Sequence, residues 1–291
     1  MQRFPPKTIM FAADLAPSSS TALEAAKYLA RRWRSRLEFV HVDAAAVHAG
    51  PSLMPEAGAL WWPWADYHVW REQRVRKLVE DFPSARLTIR RVPGWPPATL
   101  ADLAGPTTAG LVVMGTHGYA GLDRALFGSL AEAVIRRARV PVLAVHRRKS
   151  PFRIERILAP WNGRLYATAA LLVAARWAES LGARLDVLHV TPPWAAAEGL
   201  APWVRRRLDG LLGRGRAPRW SLRVISGDSR DVVLNEAAPG RCDLVVLSAH
   251  RRPLSNDFVM GSTVERVLRH SPVAVLAVPS TGAAAKTPAR R

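Results

Sequence analysis

The chain is written twice, and that duplication constrains its fold more than any other feature of its 291 residues. Residues 9–42 align without a gap on residues 157–190: "RLEFVHV" (36–42) falls on "RLDVLHV" (184–190), and Ala22, Ala26 and Ala30 fall on Ala170, Ala174 and Ala178. A second ungapped block sets 94–146 against 227–279, where "LVVMGTHG" meets "LVVLSAHR" and "GSLAEAVIRRARVPVLAV" meets "GSTVERVLRHSPVAVLAV". The halves differ mainly by fifteen extra residues in the first, within 43–91. The basic, proline-containing stretch "HRRKSPFRIE" (146–155) marks the boundary. The expected domains are 1–148 and 152–280, and the aperiodic residues 281–291 read as a disordered tail.

Within each half, short apolar runs alternate with helical periods. In the first half, 9–13, 37–42, 87–92, 111–114 and 140–145 read as strands, apolar on both faces as central parallel strands are. Between them, Ala22, Ala25, Ala26, Leu29, Ala30 and Trp33 form one helical stripe, with Thr21-x-x-Glu24 as a capping box. Leu130, Ala131, Val134, Ile135 and Ala138 form another, with Arg136, Arg137 and Arg139 at its negative end. Strict alternation of strand and helix requires right-handed crossovers and a parallel, doubly wound sheet. Each half is therefore expected to be a five-stranded, Rossmann-like α/β domain.

The charge, +19, invites a nucleic-acid reading. Its distribution argues otherwise, because the basic residues occur in short pieces at 31–36, 74–77, 136–139 and 205–207, where helices end or face water. Only five of the 42 basic residues are lysines, so the excess reads as a chain-wide preference for arginine. No RRM-type aromatic motif, zinc finger or basic zipper accompanies it. The sequence opens on MQRFPPKTIM, without the apolar core of a signal peptide, and no apolar run approaches the roughly 18 residues of a membrane helix. A cytoplasmic protein engaging neither nucleic acid nor membrane is expected. The single cysteine, Cys242, excludes an internal disulfide and reads as a buried small hydrophobe.

In a doubly wound sheet, ligands bind beyond the carboxyl ends of the strands, where strand order reverses. Two elements of the first half point there. Its first strand ends at Asp14, whose carboxylate can accept hydrogen bonds from ribose hydroxyls or an adenine amino group. Its fourth, "LVVM", opens into Gly115-Thr116-His117-Gly118 and, nine residues on, Gly128-Ser129 at the start of a helix. Glycines let backbone approach a ligand, a helix N-terminus offers unpaired amides and partial positive charge, and Ser129 adds a hydroxyl. The loop is built to hold phosphate.

This arrangement resembles the universal stress protein family, specifically its tandem members, over nearly the whole span 8–279. The family's nucleotide signature is G-x2-G-x9-G-[ST], and Gly115, Gly118, Gly128 and Ser129 satisfy it at full spacing. Asp14 matches the family's aspartate at the end of the first strand, and Val42 the second-strand position whose backbone meets adenine. The resemblance implies ATP, or AMP or ADP, bound in the first half, with a divalent ion such as Mg2+ carried by the phosphates. The second half departs from the signature. Asn162 stands for Asp14, Ser248 for Gly115 and Arg251 for Gly118, although Gly261 and Ser262 remain. The second half is expected to bind nucleotide poorly or not at all, with Arg251 reaching into its own anion pocket.

Other candidates carry less. His41 and His189 occupy equivalent strand ends, and His117 and His250 equivalent loop positions, so their repetition in the degraded half favours a structural role over metal or catalysis. Trp61, Trp62, Trp64 and Trp70 lie in the insertion of the first half and read as a lid or partner surface, or as packing of the second helix onto the sheet. Arg124, in the nine-residue spacer, reads as an exposed arginine. No catalytic residue and no metal ligand is assigned. The expected function is an adenine-nucleotide-binding regulator in which nucleotide orders residues 115–128 and so alters a surface offered to a protein partner. The alternatives are a slow ATPase, for which no Walker GxxxxGK[ST], GxSxG or HExxH motif is present, and a nucleotide-free scaffold. An internal pseudo-dimer through the last strands, 140–145 and 273–278, with further homodimerisation, is expected.

Overall fold

A computed structural model describes residues 4–15, 19–43, 64–105, 109–116, 128–146, 151–194, 197–213, 219–249, 251–254 and 257–280. The chain separates into two compact units whose main boundary falls between Phe152 and Arg153. Among the described residues, no helix is long and apolar enough to cross a membrane.

The first half runs β1 (Thr8–Ala12), α1 (Ser20–Trp33), β2 (Arg36–Asp43), α2 (Trp64–Val79), β3 (Leu87–Pro93), α3 (Pro96–Leu103), β4 (Leu111–Gly115), α4 (Ser129–Arg137) and β5 (Val142–Val145). Its strand order is β3-β2-β1-β4-β5. β1 is parallel to β2, with Phe11 opposite Phe39, and parallel to β4, with Phe11 opposite Val113. Ile9, Met10, Phe11, Leu37, Phe39 and Leu111 are fully buried, and the Phe11 and Phe39 rings lie 5.3 Å apart. Each such side chain contributes about 1.5–3 kcal/mol by leaving water. α1 forms because its alanines and Leu29 recur at helical spacing, and the whole expected stripe is buried.

The second half repeats the plan as β6 (Arg156–Pro160), α5 (Leu165–Leu181), β7 (Arg184–Thr191), α6 (Ala197–Leu212), β8 (Trp220–Ser226), α7 (Ser229–Glu236), β9 (Leu244–Ala249), a hairpin of β10 (Arg251–Leu254) and β11 (Asp257–Met260), α8 (Ser262–His270) and β12 (Ala274–Pro279). Its main strands are ordered β8-β7-β6-β9-β12. Two tandem, mostly parallel α/β domains, as expected from the alternation, are therefore present. Cys242 is buried as expected. Burial, and after it the charges of Asp243, Asp186 and Glu236, pushes its thiol up to about 12.

Three local expectations are corrected. β5 starts at Val142 rather than residue 140, because Pro141 has no amide for a ladder. β3 is not apolar on both faces: it is an edge strand whose Thr88, Ile89, Arg91 and Pro93 are exposed. The capping box does not form, since α1 is preceded by Ser19 and Thr21 is buried inside its first turn.

Equivalent helix ends solve one backbone problem with different residues. α1 ends on Arg34 at φ 55° and α5 on Gly182 at φ 71°, each donating its amide back to the last turn. The left-handed conformation costs a residue with a Cβ about 1–2 kcal/mol, a cost glycine escapes. Arg34→Gly is therefore expected to stabilise the protein, and Gly182→Arg to destabilise it, each by about 1 kcal/mol, read from denaturant unfolding midpoints.

Candidate functional site

The connections β1 to β2 and β2 to β3 advance in one direction across the sheet, whereas β3 to β4 and β4 to β5 run in the other. Right-handed crossovers then send α1 and α2 to one face and α3 and α4, which pack together, to the other. The crevice left at the carboxyl ends of β1 and β4 is a cleft of about 210 Å³.

Four of the six residues expected to hold nucleotide line this cleft, Asp14 after β1, Val42 in β2, Gly115 at the end of β4 and Gly128 just before α4, and His41 lines it beside them. Ser129 is the first residue of α4 and is exposed, outside the lining. Gly118 lies outside the described residues, as do His117, Arg124, Trp61, Trp62 and His250. The side chains of Trp64, Trp70 and Arg251 are likewise outside them.

The site is built by backbone constraints. Leu15, directly after Asp14, is held at φ 61°, the left-handed region that its counterpart Gly163 occupies at φ 79°. Ser19 Oγ donates to Asp14 Oδ1 at 2.5 Å, which spends the hydroxyl that a helix cap would use and fixes the carboxylate in the cleft wall. The amide of Ala13 donates to Val40 O at 2.8 Å, and His41 Nδ1 donates to Ala13 O at 2.9 Å, so the end of β1 is tied twice to β2. His189 donates to Trp161 O at 2.8 Å in the second half. The paired histidines thus hold equivalent strand ends, which is the structural role their repetition pointed to.

Thr116 is the residue sequence reasoning passed over. It is 2% exposed, its amide donates to Val145 O at 3.2 Å, and its carbonyl accepts the amide of Gly128 at 2.7 Å. Both ends of the glycine loop are therefore pinned together at the cleft. A Cβ on Gly128 would sit 2.8 Å from Thr116 O, so this glycine is fixed by close approach of backbone to backbone. Beyond it, the first intrahelical bond of α4 runs from Glu132 N to Gly128 O, and no side chain caps the helix. The amides of its first turn and the positive end of its dipole face the cleft mouth, an arrangement suited to an anion. Nothing periodic in the sequence marks Thr116 or Ser19; only their neighbours Gly115 and Asp14 hinted at them. Among the described residues, no group of three or more His, Cys, Asp or Glu gathers as a metal site.

The second half rearranges each of these parts. Trp161 stands where Ala13 lines the first cleft, is 2% exposed, donates from Nε1 to Thr168 Oγ1 at 3.0 Å and packs against His189. Asn162 accepts from the amide of Arg164 and donates to Tyr166 Oη. Ser248, at the Gly115 position, is buried. The segment matching the glycine loop is the β10–β11 hairpin, antiparallel from Arg251 opposite Met260 to Leu254 opposite Asp257.

The model of the universal stress protein family matches the chain twice, over residues 6–146 and 153–279. A universal stress protein of Methanocaldococcus jannaschii is 38% identical over 77 residues, 26% of this chain and 45% of that protein. A sodium/proton antiporter of Synechocystis is 28% identical over 173 residues, 58% of this chain and 24% of that protein. The chain thus spans less than half the length of either curated relative. The crystal structure of a universal stress protein from Archaeoglobus fulgidus shares the fold, with a TM-score of 0.72 at 16% identity, covering 95% of this chain and 99% of that one.

The two N-cap glycines differ in one measurable respect. Among the described residues, Gly261 has no atom within 4 Å of an added Cβ, whereas Gly128 meets a carbonyl. Gly128→Ala is expected to lower stability by about 1–3 kcal/mol, and Gly261→Ala to change it by less than about 0.5 kcal/mol, in parallel urea titrations.

Proposed function

Because the chain belongs to the universal stress protein family, we propose that its first half binds one adenine nucleotide and acts as a nucleotide-dependent regulator in a stress response. The convergence of Asp14, Val42, Gly115 and Gly128 on one cleft beside the uncapped start of α4 carries this reading. Asp14, oriented by Ser19, accepts hydrogen bonds from the nucleoside; the backbone at Val42 meets the adenine edge; Gly115 and Gly118 let the chain close over the phosphates. The α4 amides and Ser129 receive the phosphate oxygens. ATP is the expected ligand, with AMP and ADP as related ones, and any Mg2+ rides on the phosphates. Nucleotide orders residues 115–128 and so changes a surface presented to a protein partner.

The second half does not bind nucleotide in this reading. Trp161 fills space at the position that Ala13 leaves open, Asn162 is engaged by its own turn, and the hairpin has already paired its backbone. The chain therefore takes up one nucleotide rather than two.

Calorimetry with ATP and AMP, together with mass spectrometry of whatever is released on denaturing the purified protein, tests the proposal. The expected result is one site per chain, weakened about 10- to 100-fold by Asp14→Ala with unchanged circular dichroism, the loss expected of a charge-assisted hydrogen bond. Absence of binding, or a stoichiometry of two, would overturn it. Measuring ADP in the same samples separates pure binding from slow hydrolysis.

A further inference from the structure

At the opposite end of the second half, the amino ends of β6, β7 and β8 enclose a separate cleft of about 420 Å³. Its wall carries Arg156, Arg184, Arg223 and Arg241, with Asp186 and Ser221 between them. The fold concentrates these side chains: Arg156 and Arg184 are register partners at the starts of parallel β6 and β7, and Asp186 is the partner of Ser221 across β7 and β8.

Comparison with the first half shows what has changed at this corner. There the equivalent positions hold Thr8, Arg36, Glu38, Thr88, Arg90, Leu103 and Thr108, and Arg90 closes on Glu38 at 2.7 Å. In the second half, Asp186 is one methylene shorter than Glu38 and turns to Ser221 Oγ at 2.6 Å and Arg184 Nε at 3.0 Å. Arg223, released from that pairing, reaches Glu236, which also accepts from Arg241 at 3.2 Å. Arg156 donates to Gly240 O at 3.0 Å, and the third nearby carboxylate, Asp243, accepts the amides of Glu155 and Arg156. Two arginines have been added where the first half has threonines, and one carboxylate where it has leucine.

Four guanidiniums thus surround the cleft against Asp186, Glu236 and Asp243; Arg156, Arg184 and Arg241 each direct one N–H at a protein acceptor and Arg223 pairs with Glu236, while each guanidinium carries five donors. We propose that this cleft is an anion site for a phosphate group: inorganic phosphate, pyrophosphate or the phosphate of a small metabolite. A tetrahedral, doubly charged oxyanion offers enough acceptor oxygens to bridge several guanidinium forks at once, which a single carboxylate does not. The site is independent of the nucleotide reading, since it lies at the amino rather than the carboxyl ends of the strands and in the other half of the chain.

Calorimetry of the full chain with sodium pyrophosphate at constant ionic strength, and phenylglyoxal modification of arginines mapped by mass spectrometry, test it together. Arg184 and Arg241 have side chains 62% and 58% exposed, so Arg184→Gln/Arg241→Gln removes two guanidiniums without opening the core. Pyrophosphate is expected to protect Arg184 and Arg241 from modification, and the double variant to bind it at least about tenfold more weakly. Inorganic phosphate and a phosphorylated sugar, run as parallel titrants, separate the free ion from an organic phosphate. Absence of protection, or an affinity unchanged in the double variant, would overturn the assignment, and neither outcome bears on whether the first half binds ATP.

Discussion

Strand β1 must hydrogen-bond on both edges while the chain departs from it in one direction and returns from the other. From that constraint the rest follows. A parallel neighbour requires a crossover, the crossover has one hand, and reversing its direction at β1 and β4 places successive helices on opposite faces. A crevice is thereby left at the carboxyl ends of these two strands, a product of topology before any side chain lines it. What the local sequence adds is fixation: His41 and the amide of Ala13 hold β1 to β2, and Thr116 joins the start of the glycine loop to its end.

Much of this was legible in the sequence because it rests on periodicity and duplication. Two aligned copies supplied each element with an internal control, and stripes such as Ala22, Ala26 and Ala30 report burial directly. The ends of elements were less legible. Pro141 delays β5 and Ser19 precedes α1, decisions made by single residues that a periodic pattern does not weigh. β3 departs from the two-sided apolar pattern because an edge strand leaves part of its surface in water, so Arg90 and Arg91 sit where central strands place apolar side chains. At the candidate site, Asp14, Gly115 and Gly128 announced themselves by type and spacing. Ser19 and Thr116 act through a hydroxyl and a carbonyl brought into place by folding, and no spacing rule encodes either.

The two halves show which features belong to the scaffold and which to the site. The histidine that ties strand ends is present in both, as is the glycine before the last helix. Left-handed positions recur as well, yet the first half meets two of them with Leu15 and Arg34 where the second uses Gly163 and Gly182. Strain at Leu15 falls beside Asp14, the kind of place where unfavourable backbone is retained for what it positions. Differences elsewhere run the other way, with Trp161, Asn162 and the arginine-lined cleft giving the second half side chains that the first lacks at the same register.

Cys242 bears on how a protein of this family can respond to its surroundings. A thiol pushed up to about 12 by burial and only 4% exposed is almost wholly protonated at neutral pH, and the thiolate is the nucleophilic form. Peroxides and disulfides react with thiolates, and this is the one cysteine in the chain. Burial thus withholds the Cys242 sulfur of the folded chain from thiolate chemistry.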